Sequence, residues 1–173
     1  MSEYHIRNAQ TADAVRLAEL VNSAYRGDYA KQGWTTEADL IDGTRTDAAA
    51  LEDLINRGDT TILTYEENNS ILGCVELVLQ GTTLYLGMLT VDPGLQGKGV
   101  GKILLRAGED FGKNKNCSAV TMTVITIRTE LIDWYKRHGY LDTGRRKPFA
   151  FSDPRFGKPK QPLEFMVMEK KLF

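Results

Sequence analysis

Leu84-Tyr85-Leu86-Gly87-Met88-Leu89-Thr90-Val91-Asp92-Pro93-Gly94-Leu95-Gln96-Gly97-Lys98-Gly99-Val100-Gly101 carries three local signals in a single run. An apolar stretch of strand length, Leu84 to Val91, is stopped by Asp92-Pro93-Gly94. Gln96 to Gly101 follows with three glycines, and Lys102-Ile103-Leu104-Leu105-Arg106-Ala107-Gly108-Glu109 opens a helical pattern. A glycine-rich turn between a strand and a helix N-terminus gathers backbone N–H groups. The helix macrodipole adds partial positive charge there, so the turn suits a pyrophosphate.

Spacing decides between phosphate loops. A P-loop needs Gly, four residues, then Gly-Lys-Ser/Thr; here its first glycine position holds Gln96, and Ile103 follows Lys102. A dinucleotide fingerprint needs G-x-G-x-x-G, whereas the glycines run Gly97, Gly99, Gly101. Gln-x-x-Gly-x-Gly does fit, filled by Gln96, Gly99 and Gly101. That pattern resembles the acetyl-CoA pyrophosphate loop of the GCN5-related N-acetyltransferases, the GNAT superfamily. The competing reading, a glycine turn with no ligand, sits poorly with the strand before it and the helix after it. The resemblance implies acetyl-CoA as co-substrate. It assigns the pantetheine arm to the backbone of Leu89, Thr90 and Val91. The pyrophosphate falls to the N–H groups of Gln96, Gly97, Lys98, Gly99, Val100 and Gly101, with Lys102 as a charge partner.

A second stretch, Trp134-Tyr135-Lys136-Arg137-His138-Gly139-Tyr140, is similar to the Tyr-x-x-x-Gly-(Phe/Tyr) element of the same family. The resemblance makes Tyr135 the acid that protonates the CoA thiolate. A phenol with a pKa near 10 stays protonated at neutral pH and can do so; an ordinary core tyrosine is the alternative. Many relatives carry Asn seven residues before this tyrosine and Ala four before it, and here Arg128 and Leu131 stand there. Arg128 is therefore counted with the donor site, as a partner for a CoA phosphate, with the acceptor or plain solvation as alternatives. Some relatives place a Glu on the strand before the loop, at the position of Tyr85, which is no ready base at neutral pH. Glu76 on the neighbouring strand is the best carboxylate substitute, although positioning alone can carry much of an amine's attack.

The resemblance puts the acceptor between the first two helices and in the late-strand loop. Those segments hold Tyr25, Arg26, Tyr29, Trp34, Glu37 and Asp39, then Arg145 to Phe149. Tyr25, Tyr29, Trp34 and Glu37, with Tyr85, are the expected acceptor residues, since aromatics beside carboxylates suit a cationic amine.

Around these motifs the pattern predicts a strand at His5 to Asn8 and a helix through Ala14, Leu17, Ala18 and Val21. A helical piece is expected around Ala38, Leu40 and Ile41, and a helix capped by Thr46 or Asp47 through Leu51, Leu54 and Ile55. Thr60 to Glu66, Ile71 to Leu79 and Leu84 to Val91 read as an antiparallel meander. Helices from Val100 to about Phe111 and from Thr129 to Arg137 flank a strand at Ala119 to Ile125. Late strands at Tyr140 to Thr143 and Leu163 to Glu169 are separated by a Pro/Gly/basic loop. This order matches the GNAT fold over roughly Ile6 to Lys170. The fold class is α/β (α+β mixed): a mostly antiparallel mixed sheet of about seven strands with about four helices, in one domain over residues 1–173.

Lys+Arg 22 against Asp+Glu 23 leaves no basic excess for nucleic-acid binding. The clusters Arg145-Arg146-Lys147 and Lys158 to Lys160 suit a solvated loop or an anionic ligand equally. Cys74 and Cys117, His5 and His138 lack disulfide or ligand spacing, so no metal is expected. No signal peptide or apolar run near ~18 residues appears, which fits a cytoplasmic protein off the membrane. The expected activity is acetyl transfer to a primary amine of a small molecule or peptide by direct attack in a ternary complex, with a homodimer implied by the resemblance. Two rivals stay open: a CoA-binding sensor or scaffold, and an acyltransferase using another acyl-CoA or a hydroxyl acceptor.

Overall fold

The computed structural model describes residues 3–26, 37–38, 40–42, 44–149 and 158–173. Strand β1 (Tyr4–Asn8) leads through a 3-10 turn (Thr11–Asp13) into α1 (Ala14–Tyr25). β2 (Ile41–Asp42) and α2 (Ala48–Ile55) precede β3 (Thr60–Glu67), β4 (Ser70–Gln80) and β5 (Thr83–Val91). After a second 3-10 turn (Pro93–Leu95) come α3 (Val100–Asn114), β6 (Ala119–Ile125) and α4 (Thr129–Arg137). β7 (Leu141–Pro148), β8 (Lys158–Pro159) and β9 (Glu164–Lys171) complete the order.

Seven strands form one sheet in the order β1-β3-β4-β5-β6-β9-β7. All neighbours are antiparallel except β5 and β6. The mixed, mostly antiparallel sheet and the four α-helices of the described residues are those the sequence pattern predicts.

Each face is built from periodicity. Ala14, Leu17, Ala18, Val21 and Ala24 recur at helical spacing, and with Leu51 of α2 they bury against Ile62, Ile71, Cys74 and Met88. On the opposite face Leu104 and Leu105 of α3 and Leu131 and Ile132 of α4 pack on Val75, Leu77, Leu86 and Met122. Adjacent residues of β4 thus serve opposite cores, Cys74 on one and Val75 on the other, as period-two alternation requires.

Three expectations are corrected. Ile41 stands in a strand, not a helical piece: β2 pairs with β8, and the Lys160 N–H bonds the Leu40 carbonyl at 2.8 Å. So short a helix has little stability of its own, and a non-local pairing displaces it. β7 runs on to Pro148 through residues expected as loop, pairing Arg146 with Met166 and Pro148 with Glu164. Proline is tolerated there because β7 is the sheet's edge. Gly112 does not stop α3, which continues to Asn114; a Cβ on Gly112 would lie 3.0 Å from Leu172 and 3.3 Å from Leu84, so it lets the helix approach the sheet.

The sheet opens at its parallel seam. β5 pairs with β6 only from Thr83 to Tyr85, while β5 stays on β4 to Val91 and β6 stays on β9 to Ile125. From Leu86 onward the two strands diverge. Where they part, β5 bulges: Cys74 faces Thr90 but Glu76 faces Gly87, leaving Met88 and Leu89 opposite Val75. Met88 takes φ +50° to make this bulge.

Candidate active site

The glycine loop is shaped by local bonds. Asp92 accepts the Gly94 N–H at 2.9 Å and so turns the chain out of β5. Gln96 donates its side-chain amide to the Val91 carbonyl at 3.2 Å and pins the loop back on the strand end. Gly99, at φ +86°, is the N-cap of α3, in a region that an L side chain adopts only at a cost. The Ile103 N–H closes on the Gly99 carbonyl at 3.1 Å. The N–H groups of Val100, Gly101 and Lys102 therefore come before the first helical bond, as an anion at a helix start requires.

A cavity of about 450 Å³ lies against this loop. Its wall takes Leu89 and Val91 from β5, Gln96, Gly97, Gly99, Gly101 and Lys102 from the loop and α3, and one face of α4. Nine of the proposed donor residues are thus arranged around one opening: seven as lining, Thr90 buried between Leu89 and Val91, and Val100 turned into the core while its N–H stays at the helix start. Lys98 is exposed and outside the lining. Thr90 donates its hydroxyl to the Met88 carbonyl at 2.9 Å, bracing the bulge.

Tyr135 lies at the bottom of this cavity, 6% exposed. Its hydroxyl has no hydrogen-bond partner among the described residues. Burial raises its pKa well above the ordinary phenol value, with Arg128 pulling the other way, so it stays protonated at neutral pH. Its ring is wedged edge-on between Trp134 and Tyr140, at 5.1 and 5.9 Å. Tyr140 is fixed in turn by its hydroxyl bond to Glu109 at 3.0 Å.

A second cavity of about 250 Å³ opens on the α1 face of the splayed strands. It shares Tyr25, Leu89, Leu131 and Tyr135 with the first, so the two meet at the bulge. Tyr25 donates its hydroxyl to the Leu89 carbonyl, and burial pushes its pKa up to about 12. Glu37 lines this cavity between Arg26 at 3.7 Å and Arg45 at 3.9 Å. Burial lowers the pKa of Arg26, and Glu37 opposes that shift. Tyr85 lines it as well, its hydroxyl 3.3 Å from that of Thr123. Glu76 lies beside it, with a carboxyl oxygen 3.2 Å from where a Cβ on Gly87 would be. Burial raises the Glu76 pKa above the ordinary carboxyl value.

The structure separates one residue from its expected group: Arg128 lines the second cavity, away from the glycine loop. Tyr29 and Trp34 lie outside the described residues. Sequence reasoning missed Trp134 and His138 as cavity walls, although Glu130, Trp134 and His138 recur every fourth residue along the helix that carries Tyr135. It also missed Arg45, which no local pattern marks. Asn22 of α1 brings it in, accepting the N–H groups of Arg45 and Thr46 at 2.7 and 3.1 Å. The Arg45 guanidinium then lies 5.7 Å from the centre of the Tyr25 ring. Among the described residues no three His, Cys, Asp or Glu side chains are grouped to hold a metal, and no helix is long and apolar enough to cross a membrane.

A seven-stranded sheet splayed at one parallel seam, with a glycine loop at a helix start beneath it, defines an acetyltransferase fold. The chain belongs to the acetyltransferase (GNAT) family, whose model matches residues 16–140. No curated protein matches it significantly. Among solved structures it is similar to the ribosomal-protein-S18-alanine N-acetyltransferase of Escherichia coli, with TM-score 0.72 and 12% identity over 98% of this chain and 94% of that one. It is similar to the PaiA N-acetyltransferase of Thermoplasma acidophilum in complex with coenzyme A, with TM-score 0.69 and 20% identity over 98% and 99%. Ard1 of Thermoplasma volcanium aligns with TM-score 0.73 and 18% identity over 98% of both chains. At these identities the likeness is one of fold.

Proposed function

We propose that this protein is a single-domain cytoplasmic N-acetyltransferase that passes the acetyl group of acetyl-CoA directly to a primary amine. The observation that carries the reading is the Tyr135 hydroxyl, buried where the two cavities meet and without a hydrogen-bond partner among the described residues. In this reading the N–H groups of Gln96 to Gly101 hold the pyrophosphate with Lys102 as a charge partner, and the Leu89–Val91 strand edge aligns the pantetheine arm. The thioester carbon then lies at the bulge, between the amine entering from the second cavity and Tyr135.

As the amine nitrogen bonds to the carbonyl carbon, the carbon–sulfur bond breaks and Tyr135 gives its proton to the departing sulfur. Glu76, directly or through water, takes the proton the amine must lose. No covalent acyl-enzyme is needed. Cys74 is fully buried, with its thiol pushed up to about 12 by burial, and Cys117 is buried away from both cavities.

Tyr135→Phe tests the reading by steady-state kinetics. It is expected to lower kcat by ~100-fold or more, the usual worth of a general acid, while calorimetric affinity for CoA is kept. Undiminished turnover in that variant refutes the acid role.

A further inference from the structure

A third cavity, of about 500 Å³, shares Tyr85, Met122, Thr123 and Phe165 with the second, so the two form one trough. Every residue that lines this third cavity is on a strand. The cover of the sheet explains why. The core beneath α1 and α2 takes its sheet residues, Ile62, Ile71, Cys74 and Met88, from β3, β4 and β5. Beyond the second cavity no described helix lines the trough, which crosses β6, β9 and β7. Thr121 and Thr123 of β6 and Phe165 and Val167 of β9 form its floor, on the face opposite to Val120, Met166 and Met168 of the α3 and α4 core. Hydroxyls thus lie beside apolar surface, which suits a chain that carries both peptide groups and side chains.

Because β7 is a strand, its three consecutive cations divide between two faces. Arg146 pairs across with Met166 and turns away from the trough, and Asp142 at 2.9 Å and Glu164 at 3.9 Å match its charge. Arg145 and Lys147 line the trough and are exposed; their side chains make no hydrogen bond or ion pair among the described residues. Among the described residues Glu169 is the one carboxylate in that lining, and it is ion-paired with neither. Two unmatched cations against one acid leave this wall positive. The second cavity alone, about 250 Å³, touches neither cation, so an acceptor confined to it cannot use them.

We propose, resting on the acetyl-transfer reading, that the acceptor is an extended acidic peptide. Its amine enters at the bulge, its backbone lies along the trough, and its carboxylates meet Arg145 and Lys147, the guanidinium fork matching a carboxylate's two oxygens. The register gives the reach. Tyr85 pairs with Thr121, so Gly87 is level with Thr123, and Thr123 pairs with Val167, next to the Arg146–Met166 pair. From the bulge to the cations is therefore three strand spacings, at least ~14 Å, which an extended chain crosses in about four residues.

The test follows CoA thiol release with heptapeptide amides that differ only at positions three to five, which hold Glu, Gln or Arg. One series has a free N-terminus; the other blocks it and places lysine first. Butylamine and spermidine serve as small amines. In at least one series wild type is expected to favour the Glu peptide over its Gln counterpart by about tenfold in kcat/KM, the worth of two exposed charge pairs. Arg145→Gln and Lys147→Gln should each cut that ratio about threefold, mainly through peptide KM and with acetyl-CoA KM held, and the double variant should erase it. Arg145→Lys and Lys147→Arg keep the charge and should keep most of the ratio. Arg146→Gln removes the same charge from the other face of β7 and should leave the ratio unchanged. No Glu preference in wild type, faster turnover of the small amines than of any peptide, a preference that survives the double variant, or an equal loss in Arg146→Gln overturns the inference and leaves acetyl transfer standing. If no acceptor turns over although CoA binds by calorimetry, the inference falls and the donor site stands. If CoA fails to bind as well, the acetyl-transfer reading falls with it.

Discussion

The hydroxyl of Tyr25 on α1 donates to the carbonyl oxygen of Leu89 at the bulge of β5. That bond ties the helix covering one face of the sheet to the strand edge that borders both cavities. A carbonyl turned away from β4 by the bulge needs a donor, and α1 supplies it from the opposite core. Tyr25→Phe removes the donor while keeping the ring. The expected cost is ~1–2 kcal/mol, that of leaving a buried carbonyl poorly satisfied, read as a lower urea midpoint. Because Leu89 borders the thioester position in the proposed complex, kcat should fall with it. A variant of unchanged stability and turnover shows that the bond does not hold the bulge.

Two glycines of the loop should both matter to CoA binding but differ in what a side chain does to the fold. Gly99 sits at φ +86° with open space where a Cβ would go. A side chain there is strained and projects into the pyrophosphate's path, so Gly99→Glu should abolish CoA binding by calorimetry while circular dichroism stays native. Gly101 is in helical backbone, and a Cβ on it would meet Trp134 at 3.5 Å and Val91 at 3.7 Å, ordinary contacts. Gly101→Ala should therefore stabilise the fold by ~0.5–1 kcal/mol through helix propensity and yet weaken CoA binding, because the methyl narrows the cavity. A stabilised variant with unaltered CoA affinity removes Gly101 from the donor site.

What could be read in advance followed the range of the forces involved. Gln96, Gly99 and Gly101 were legible because a positive φ and a helix start are demands of a few neighbouring residues. The meander β3–β4–β5 and the stripe of α1 were legible because buried faces impose periods of 2 and 3.6. β7 was not, since every residue of it is exposed and a wet edge strand has no apolar alternation to display. The pairing of Ile41 with Pro159 and the placing of Arg45 by Asn22 depend on contacts far apart in the chain. Arg128 could be seen as a departure from the family pattern, but which cavity it faces follows from how far β6 splays from β5.

Away from the site, Arg7 links β1 to two other elements. Its guanidinium bonds Asp13 at 2.8 and 3.0 Å and Glu66 at 2.7 Å, while Asp13 also accepts the Gln10 N–H that starts the 3-10 turn. The Arg7 side chain, first through these bonds, holds the Asp13 carboxyl below its ordinary value of 3.8. A depressed carboxyl pKa stabilises the fold above the unfolded value, and that contribution is lost as pH falls through the folded one. Arg7→Gln should thus lose up to ~1 kcal/mol at neutral pH, the range of a part-exposed ion pair. The difference from wild type should shrink below about pH 4. Denaturant midpoints at pH 7 and pH 3 measure both; equal losses at the two pH values would show that packing, not charge, is what Arg7 supplies.

Glu76 offers a test in which stability and activity move apart. Its carboxyl is raised by burial first, with Arg45 and Arg57 opposing that shift. A raised folded pKa means that the protonated form is favoured in the fold. The associated stability is complete below the unfolded pKa and is lost as pH rises through the folded one. At neutral pH the ionised Glu76 therefore costs the fold something, and Glu76→Gln should raise the thermal midpoint at pH 7.5 with little change at pH 4. As proposed base, the carboxylate must be free, so the acid limb of kcat/KM set by Glu76 should lie above the ordinary ~4.3 of a glutamate. Glu76→Gln should remove that limb and lower kcat by ~100-fold. A variant that gains stability and keeps both its turnover and its acid limb retires Glu76 as the base. Amine positioning between Tyr25 and Tyr135 would then carry the proton loss to water.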